Sequence, residues 1–362
     1  MAHKLGEDAC YYINFEDDRF LGFQAEDAND LYQALVEVFG ERQILMVDEI
    51  QNIPGWEHFV RRLMDLGKKF FITGSNASLL SRELGTRLTG RYFPIELFPF
   101  SFEEFLIFRD ESVPDFSRIT TLDRARLNSA LLGYLQSGGI PDSQKYPELP
   151  LLRTLYDDIL YRDIAARYRL DAVTALRGLA YSLISNPGGL ISYNKLKEQL
   201  RLASVNTVSS YVDYMENSWL VFALNRYEYS VKRQLVLPKK IYWVDTGMVN
   251  AVGFQFSPNS GKLLENIVFL ALRRRTKEIY YYTTANGYEV DFYLPEQRLL
   301  IQVAQHIENP DTRERETRAL SDAIGRIQVD RALILTDSNQ PGFDLNGVEV
   351  TIKALPDWLL ED

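Results

Sequence analysis

Four consecutive apolar residues, Ile44, Leu45, Met46 and Val47, run directly into two adjacent carboxylates, Asp48 and Glu49. So short an apolar run reads as a buried strand. A carboxylate at the end of such a strand costs free energy unless a metal, a cation or several donors face it, so the pair asks for a partner. Around it, strand-like and helix-like segments alternate: strand 11–15, helix 27–39, strand 44–47, helix 57–66, strand 69–73, helix 78–88 and strand 91–97. That alternation is the signature of an α/β layer with parallel strands. Pro94 lies inside the last run and assigns it to an edge or a bulge.

At 362 residues the chain is too long for one typical core, which implies two or three domains. Its 46% apolar and 25% charged residues are ordinary for a globular protein. No apolar run approaches the ~20 residues a membrane helix needs, and residues 1–8 lack the apolar core of a signal peptide, so a cytoplasmic protein without membrane contact is expected. Cys10 is the only cysteine, and His3, His58 and His306 are too scattered to form a local ligand motif. The net charge of −10 argues against a generally sticky nucleic-acid binder.

Beyond residue 100 the pattern turns helical to about residue 170, broken at Gly138-Gly139-Ile140-Pro141-Asp142. Two helices over 191–200 and 204–217, a strand over 219–224 and a basic hairpin over 231–240 then follow the order of a winged helix-turn-helix. The last part starts near residue 261 with a helix over 262–275. Strands 279–283, 288–294 and 299–303, a charged helix over 312–327 and a strand over 331–335 complete an α/β domain, with Asp291 and Gln302 on neighbouring strands. The expected domains are 1–100, 101–170, 171–255 and 256–362.

Apolar residues followed by Asp-Glu form the pattern of a Walker B strand, in which Asp48 holds magnesium through water and Glu49 polarises the attacking water. The alternative is that both acids cap the turn into the next helix. Ser75 and Asn76 end the strand 69–73, where a γ-phosphate sensor would stand; Gly74-Ser75-Asn76 is also common turn chemistry. Asp48-Glu-Ile-Gln-Asn-Ile-Pro-Gly-Trp56, Thr73-Gly-Ser-Asn-Ala-Ser-Leu-Leu80, Leu88-Thr-Gly-Arg-Tyr92 and Phe98-Pro-Phe-Ser-Phe-Glu-Glu-Phe105 together resemble a large prokaryotic family of AAA-type ATPases. That family carries a winged-helix linker and a C-terminal domain similar to PD-(D/E)xK nucleases. Gly138-Gly-Ile-Pro141, Lys240-Ile-Tyr-Trp-Val-Asp-Thr-Gly247, Leu264-Glu-Asn-Ile-Val268 and Glu289-Val-Asp-Phe292 extend the resemblance along nearly the whole chain.

The resemblance implies ATP and magnesium as cofactors, with Asp48, Glu49, Ser75 and Asn76 at the nucleotide. Arg91 would act on the γ-phosphate of a neighbouring subunit in a homo-oligomer; as a plain surface arginine it needs no such role. A phosphate-binding loop, G-x-x-x-x-G-K-[ST], is expected upstream of the Asp48 strand and does not occur in these 362 residues. The expected fold is therefore a truncated parallel P-loop-type sheet with helices, then a winged helix-turn-helix and a restriction-endonuclease-like α/β domain. Its strands 69–73 and 91–97 would lack the neighbour between them. ATP binding is expected to be weak, hydrolysis absent, and Asp48 and Glu49 solvated.

The candidate recognition helix over 204–217 contains Asp213 and Glu216 and no Lys or Arg. Its polar face, Asn206, Thr207, Ser209 and Ser210, would touch bases and the basic hairpin the DNA backbone; a structural or protein-docking role is the alternative. In the nuclease-like domain Asp291 stands where a metal-binding Asp belongs and Glu265 would add a helix carboxylate, but Gln302 and Ala304 replace the second acid and the lysine. The sequence thus supports an ATPase incomplete in this chain, a non-catalytic scaffold for DNA or protein, or a metal-dependent nuclease built on Asp291.

Overall fold

The run Ile44–Asp48 is the middle strand, β2, of a parallel three-stranded sheet. This computed structural model describes residues 9–74, 91–254, 260–308 and 310–361 and divides into two compact units, 1–96 and 97–362. In the first, β1 (Cys10–Asn14) and β3 (Lys69–Ile72) flank β2, with Tyr11 opposite Leu45 and Leu45 opposite Phe70. Parallel neighbours need crossover connections. Helix α1 (Ala28–Phe39) makes one, stopping at Gly40 with φ of 72°, and α2 (Trp56–Asp65) makes the other. Both helices pack on the face carrying Tyr11, Ile13, Leu45 and Val47, with Trp56, Phe59, Val60 and Leu63 from α2. The opposite face places Tyr12, Met46 and Phe71 in one row, and Tyr12 is 64% exposed.

Residues 91–97 form no strand, contrary to their pattern. Phe93, Ile95 and Leu97 alternate as a strand would but are exposed. Alternation does not by itself supply a hydrogen-bonding neighbour, and Pro94 withholds one donor. The expected helix 78–88, Ser75 and Asn76 lie outside the described residues.

The second unit opens with helices α3 (Phe102–Phe108), α4 (Thr121–Ser137), α5 (Pro141–Lys145) and α6 (Leu151–Asp158), which continues as a π-helix over Ile159–Ala166. Helix α7 (Val173–Ile184), strand β4 (Leu190–Ile191), helices α8 (Tyr193–Gln199) and α9 (Val205–Asn217) and strand β5 (Val221–Leu224) follow. Where a basic hairpin was expected there is a short helix, α10 (Val231–Val236), before β6 (Lys239–Trp243). The small antiparallel sheet has the order β4-β6-β5.

Helix α11 (Thr246–Val252) leads to α12 (Ser260–Arg275) and a six-stranded sheet of order β11-β12-β10-β9-β8-β7. Its strands are β7 (Tyr280–Thr283), β8 (Glu289–Leu294), β9 (Leu299–Val303), β10 (Arg331–Thr336), β11 (Gln340–Leu345) and β12 (Val348–Ala354). Helix α13 (Pro310–Ile324) crosses from β9 to its parallel neighbour β10, and α14 (Leu355–Leu359) ends the chain's described elements. One core runs from Phe102 to Trp358 and includes Ile267, Leu270, Phe292 and Ile301 between α12 and the sheet. On the other face Val290, Leu300, Ile334 and Val350 pack with Ala319, Leu320 and Ala323 of α13. In this part the strands expected at 279–283, 288–294, 299–303 and 331–335 form as β7 to β10, whereas β11 and β12 were not anticipated.

One irregularity positions the site. Tyr282 pairs with Val290 and Tyr280 with Tyr293, so β8 spends one residue more than β7 over the same stretch. This bulge lets consecutive residues Asp291 and Phe292 both reach the α12 side. Among the described residues no helix is long and apolar enough to cross a membrane.

Candidate functional site

In the first unit Asp48 sits at the carboxyl end of β2, the end at which α/β sheets present their ligands. Its Oδ2 accepts a hydrogen bond of 3.0 Å from the Tyr12 hydroxyl, and its Oδ1 accepts one from the Thr73 hydroxyl. Rather than standing free in solvent, the carboxylate is aimed by two side chains from the flanking strands. Accepting that bond, Asp48 also raises the Tyr12 hydroxyl above its ordinary pKa. Glu49 has left-handed backbone angles, φ 51° and ψ 42°, and its carboxylate accepts from the Gln51 side chain. Holding a non-glycine residue there costs about 1–3 kcal/mol, and such strain concentrates at functional turns.

Magnesium in nucleotide sites keeps most of its waters and takes few protein oxygens. Among the described residues the partners of Asp48 are two neutral hydroxyls that water can replace, which fits a role through water. Arg91 is held elsewhere, at 2.5 Å from Asp65 at the end of α2, with both side chains about half exposed.

The second unit joins motifs far apart in sequence. Asp245 is buried, accepts from the Gly139 N–H at 2.6 Å and from the Met248 N–H at 2.8 Å, and caps α11. Burial pushes its carboxyl up to about 6, against the opposing pull of the N–H groups of Gly139, Met248, Ile140 and Gly247. A Cβ on Gly138 would overlap the Asp245 carboxylate, and one on Gly247 the Ser137 carbonyl. The paired glycines and the Asp-Thr-Gly run are two halves of one clasp.

The third feature surrounds Lys240. Instead of reaching out from a basic hairpin, this lysine is 1% exposed and points into the C-terminal sheet. Its Nζ lies 2.7 Å from Glu265 of α12, 2.7 Å from Glu289 and 3.2 Å from Asp291 of β8. The Tyr242 hydroxyl donates to the same Glu265 oxygen at 2.6 Å. Asp291 Oδ2 accepts from the Val303 N–H at 2.9 Å, and Gln302 Oε1 accepts from the Asp291 N–H at 3.2 Å. Burial lowers the affinity of Lys240 for its proton, but Tyr242, Glu265, Asp291 and Glu289 outweigh that and the ammonium is held well above its ordinary value. Asp291 is pushed up to about 7 by burial and by Glu265, with Lys240 opposing.

Next to Glu265, the buried Asn266 accepts from the Trp243 N–H at 2.8 Å and donates to the Trp243 carbonyl at 2.9 Å, as a neighbouring strand would. Glu265 and Asp291, which the sequence offered as candidate metal ligands, both lie against the Lys240 ammonium; Lys240, Tyr242 and Glu289 were not among the candidates. The available signal was a lysine two positions before a tyrosine in the run Lys240-Ile-Tyr-Trp-Val, where one strand face is otherwise apolar.

The metal that a PD-(D/E)xK site would imply does not fit here. An ammonium stands where the ion would bridge Glu265 and Asp291, and the remaining oxygens of Asp291 and Gln302 are committed to backbone N–H groups. Among the described residues no group of three His, Cys, Asp or Glu side chains is open to a metal, because Glu265, Glu289 and Asp291 converge on the Lys240 ammonium instead.

On the candidate recognition surface, Asn206 and Asp213 are exposed, Thr207 is tied to the Ser204 hydroxyl at 3.0 Å, and Glu216 is tied to the Ala223 N–H at 2.7 Å. Burial raises the Glu216 carboxyl above its ordinary value.

Residues 1–106 match a protein family described as an AAA domain, and residues 129–259 match a domain of unknown function, DUF8612. An uncharacterized protein of Haemophilus influenzae is 29% identical over 99% of this chain and 88% of its own length. A solved assembly of Thermococcus gammatolerans McrB AAA+ hexamers with bound McrC overlaps 45% of this chain and 35% of that one, at 10% identity and a TM-score of 0.20, too low to carry a fold assignment. The uncharacterized protein MJ1544 of Methanocaldococcus jannaschii is 34% identical over 99% of this chain and 83% of its own length. The chain therefore belongs to the same family as that archaeal protein, and it has an AAA-type N-terminal part.

Proposed function

We propose that the protein is an AAA-type ATPase in which the nucleotide site is built on β2 and the C-terminal parts dock a partner without cutting it. The carrying observation is Asp48 at the end of the middle parallel strand, aimed by Tyr12 and Thr73 within a region that matches an AAA domain. In this reading Asp48 would hold magnesium through water, Glu49 would polarise the attacking water, and Ser75 or Asn76 would serve as the γ-phosphate sensor. Arg91 would serve a neighbouring subunit after releasing Asp65. Magnesium would supply charge neutralisation for the phosphates. These 362 residues contain no G-x-x-x-x-G-K-[ST] loop, so this chain is expected to bind Mg-ATP at millimolar strength and to release no phosphate.

The order α7-β4-α8-α9-β5-α10-β6, with strands arranged β4-β6-β5, supports a winged helix-turn-helix. Helix α12, strands β7 to β9, crossover helix α13 and parallel β10 support a restriction-endonuclease-like domain. A helix without Lys or Arg and an internally paired Lys240 favour a protein partner over DNA.

Saturation-transfer NMR with millimolar Mg-ATP tests the nucleotide reading. Transfer to the adenine is expected with the wild-type chain and lost in Asp48→Ala. Equal transfer to both chains would overturn it, and magnesium-dependent phosphate release by this chain would overturn the expected inactivity alone.

A further inference from the structure

We infer that Lys240 is the built-in cation of the C-terminal carboxylate cluster, so that the folded chain takes no divalent ion there and removing the ammonium opens a divalent-cation site. Three carboxylates from two elements, Glu265 on α12 and Glu289 and Asp291 on β8, converge on one Nζ within 3.2 Å. That Nζ arrives from a third element, β6, whose strand is fixed by the two hydrogen bonds between Asn266 and the Trp243 backbone. Burial of Glu265 and Asp291, with the partly exposed Glu289 beside them, is tolerable only against a cation. Lys240 is that cation, seated between the same two acids that a bridging metal would use.

The surroundings are arranged for an ammonium rather than for a metal. Tyr242 donates to the same Glu265 oxygen that the ammonium holds, so that oxygen carries two donors. The Tyr281 ring lies 5.9 Å from the Nζ and adds a π face, which suits an alkylammonium. Gln302, neutral, stands against the Asp291 backbone, so the cluster has no fourth carboxylate to raise its demand for positive charge. The side chain at 304 is a buried methyl group, which leaves Lys240 as the lysine of this site.

The consequence reaches beyond charge. Because the cation is covalently part of β6, its seating ties the small β4-β6-β5 sheet to α12 and the large sheet. A free ion would bridge α12 and β8 and leave β6 out. The inference rests on the proposed reading only for the likeness to a metal-dependent nuclease fold; the nucleotide experiment addresses a different unit, so either can fail alone.

Manganese binding followed by electron paramagnetic resonance tests it. Wild-type protein is expected to show no manganese whose binding is lost in Asp291→Asn. Lys240→Ala is expected to gain one bound ion per chain, and Lys240→Ala with Asp291→Asn to lose it. Manganese bound by the wild type and released by Asp291→Asn would overturn the inference, as would a folded Lys240→Ala that binds none.

Should Lys240→Ala unfold, melting temperatures decide instead. Lys240→Met is expected to melt below wild type, and adding Glu265→Gln and Asp291→Asn to it to recover most of the loss. A triple variant no more stable than Lys240→Met would overturn the role assigned to the ammonium.

Discussion

At the scale of single residues, the motifs of the second unit act as points of close approach. Gly247 lies against the backbone carbonyl of Ser137, which cannot move aside as a flexible side chain would. Gly247→Ala is therefore expected to lower stability by about 3 kcal/mol or more, by overpacking and by loss of the clasp around Asp245. Urea unfolding followed by tryptophan fluorescence checks it, and a loss below about 1 kcal/mol would contradict the geometry. Asn266 offers a second case. Asn266→Ala would strip partners from the N–H and the carbonyl of Trp243, both in a buried strand, and a cost of about 2–4 kcal/mol is expected. Hydrogen exchange at the Trp243 amide should accelerate in step, which a loss through simple packing would not require.

At the scale of elements, the chain leaves β2 through a residue whose backbone departs from strand geometry. Glu49 holds φ of 51°, a conformation that glycine adopts without strain. Glu49→Gly is expected to leave the first unit as stable as wild type, or more stable by up to about 1 kcal/mol, despite losing the Gln51 contact. Thermal unfolding provides the measurement. A clear loss of stability would assign Glu49 to holding the turn, whereas an unchanged or raised melting temperature is what a carboxylate retained for chemistry gives. The bulge in β8 follows the same logic. An extra residue brings Asp291 to the side of α12, where a regular strand would have turned either it or Phe292 away.

At the scale of the whole molecule, Asp245 and Asp291, like Glu216, bind protons more tightly folded than unfolded. Burial raises Asp245 to about 6, and burial together with Glu265 raises Asp291 to about 7, from an ordinary 3.8. Between about pH 4 and 7 the folded chain therefore holds protons that the unfolded chain has released. Their contribution to stability is greatest below the unfolded value and is lost as pH rises through the folded values. The free energy of unfolding of the second unit is expected to be larger at pH 5 than at pH 7.5, by about 1–3 kcal/mol. Urea titrations at the two pH values, read through Trp219, Trp243 and Trp358, test the sign, and greater stability at pH 7.5 would refute it.

Much of this molecule was written locally in its sequence. The apolar run ending on Asp48 and Glu49, the alternation through β1, α1, β2, α2 and β3, and the strands that carry Asp291 and Gln302 are set by side-chain periods of 3.6 and 2, which neighbouring residues specify between them. The tertiary structure decided the rest. The alternating run 91–97 formed no strand because pairing depends on a partner that alternation cannot supply. Lys240 was read as part of a basic hairpin on the surface; its counter-charges Glu265, Glu289 and Asp291 lie 25 or more residues away in sequence. Asp245 meets Gly139 across 106 residues, so the need for both glycines and the acid exists only once the two segments touch. Periodicity determines which elements form, whereas the partner of a buried charge is determined by which elements come to lie side by side.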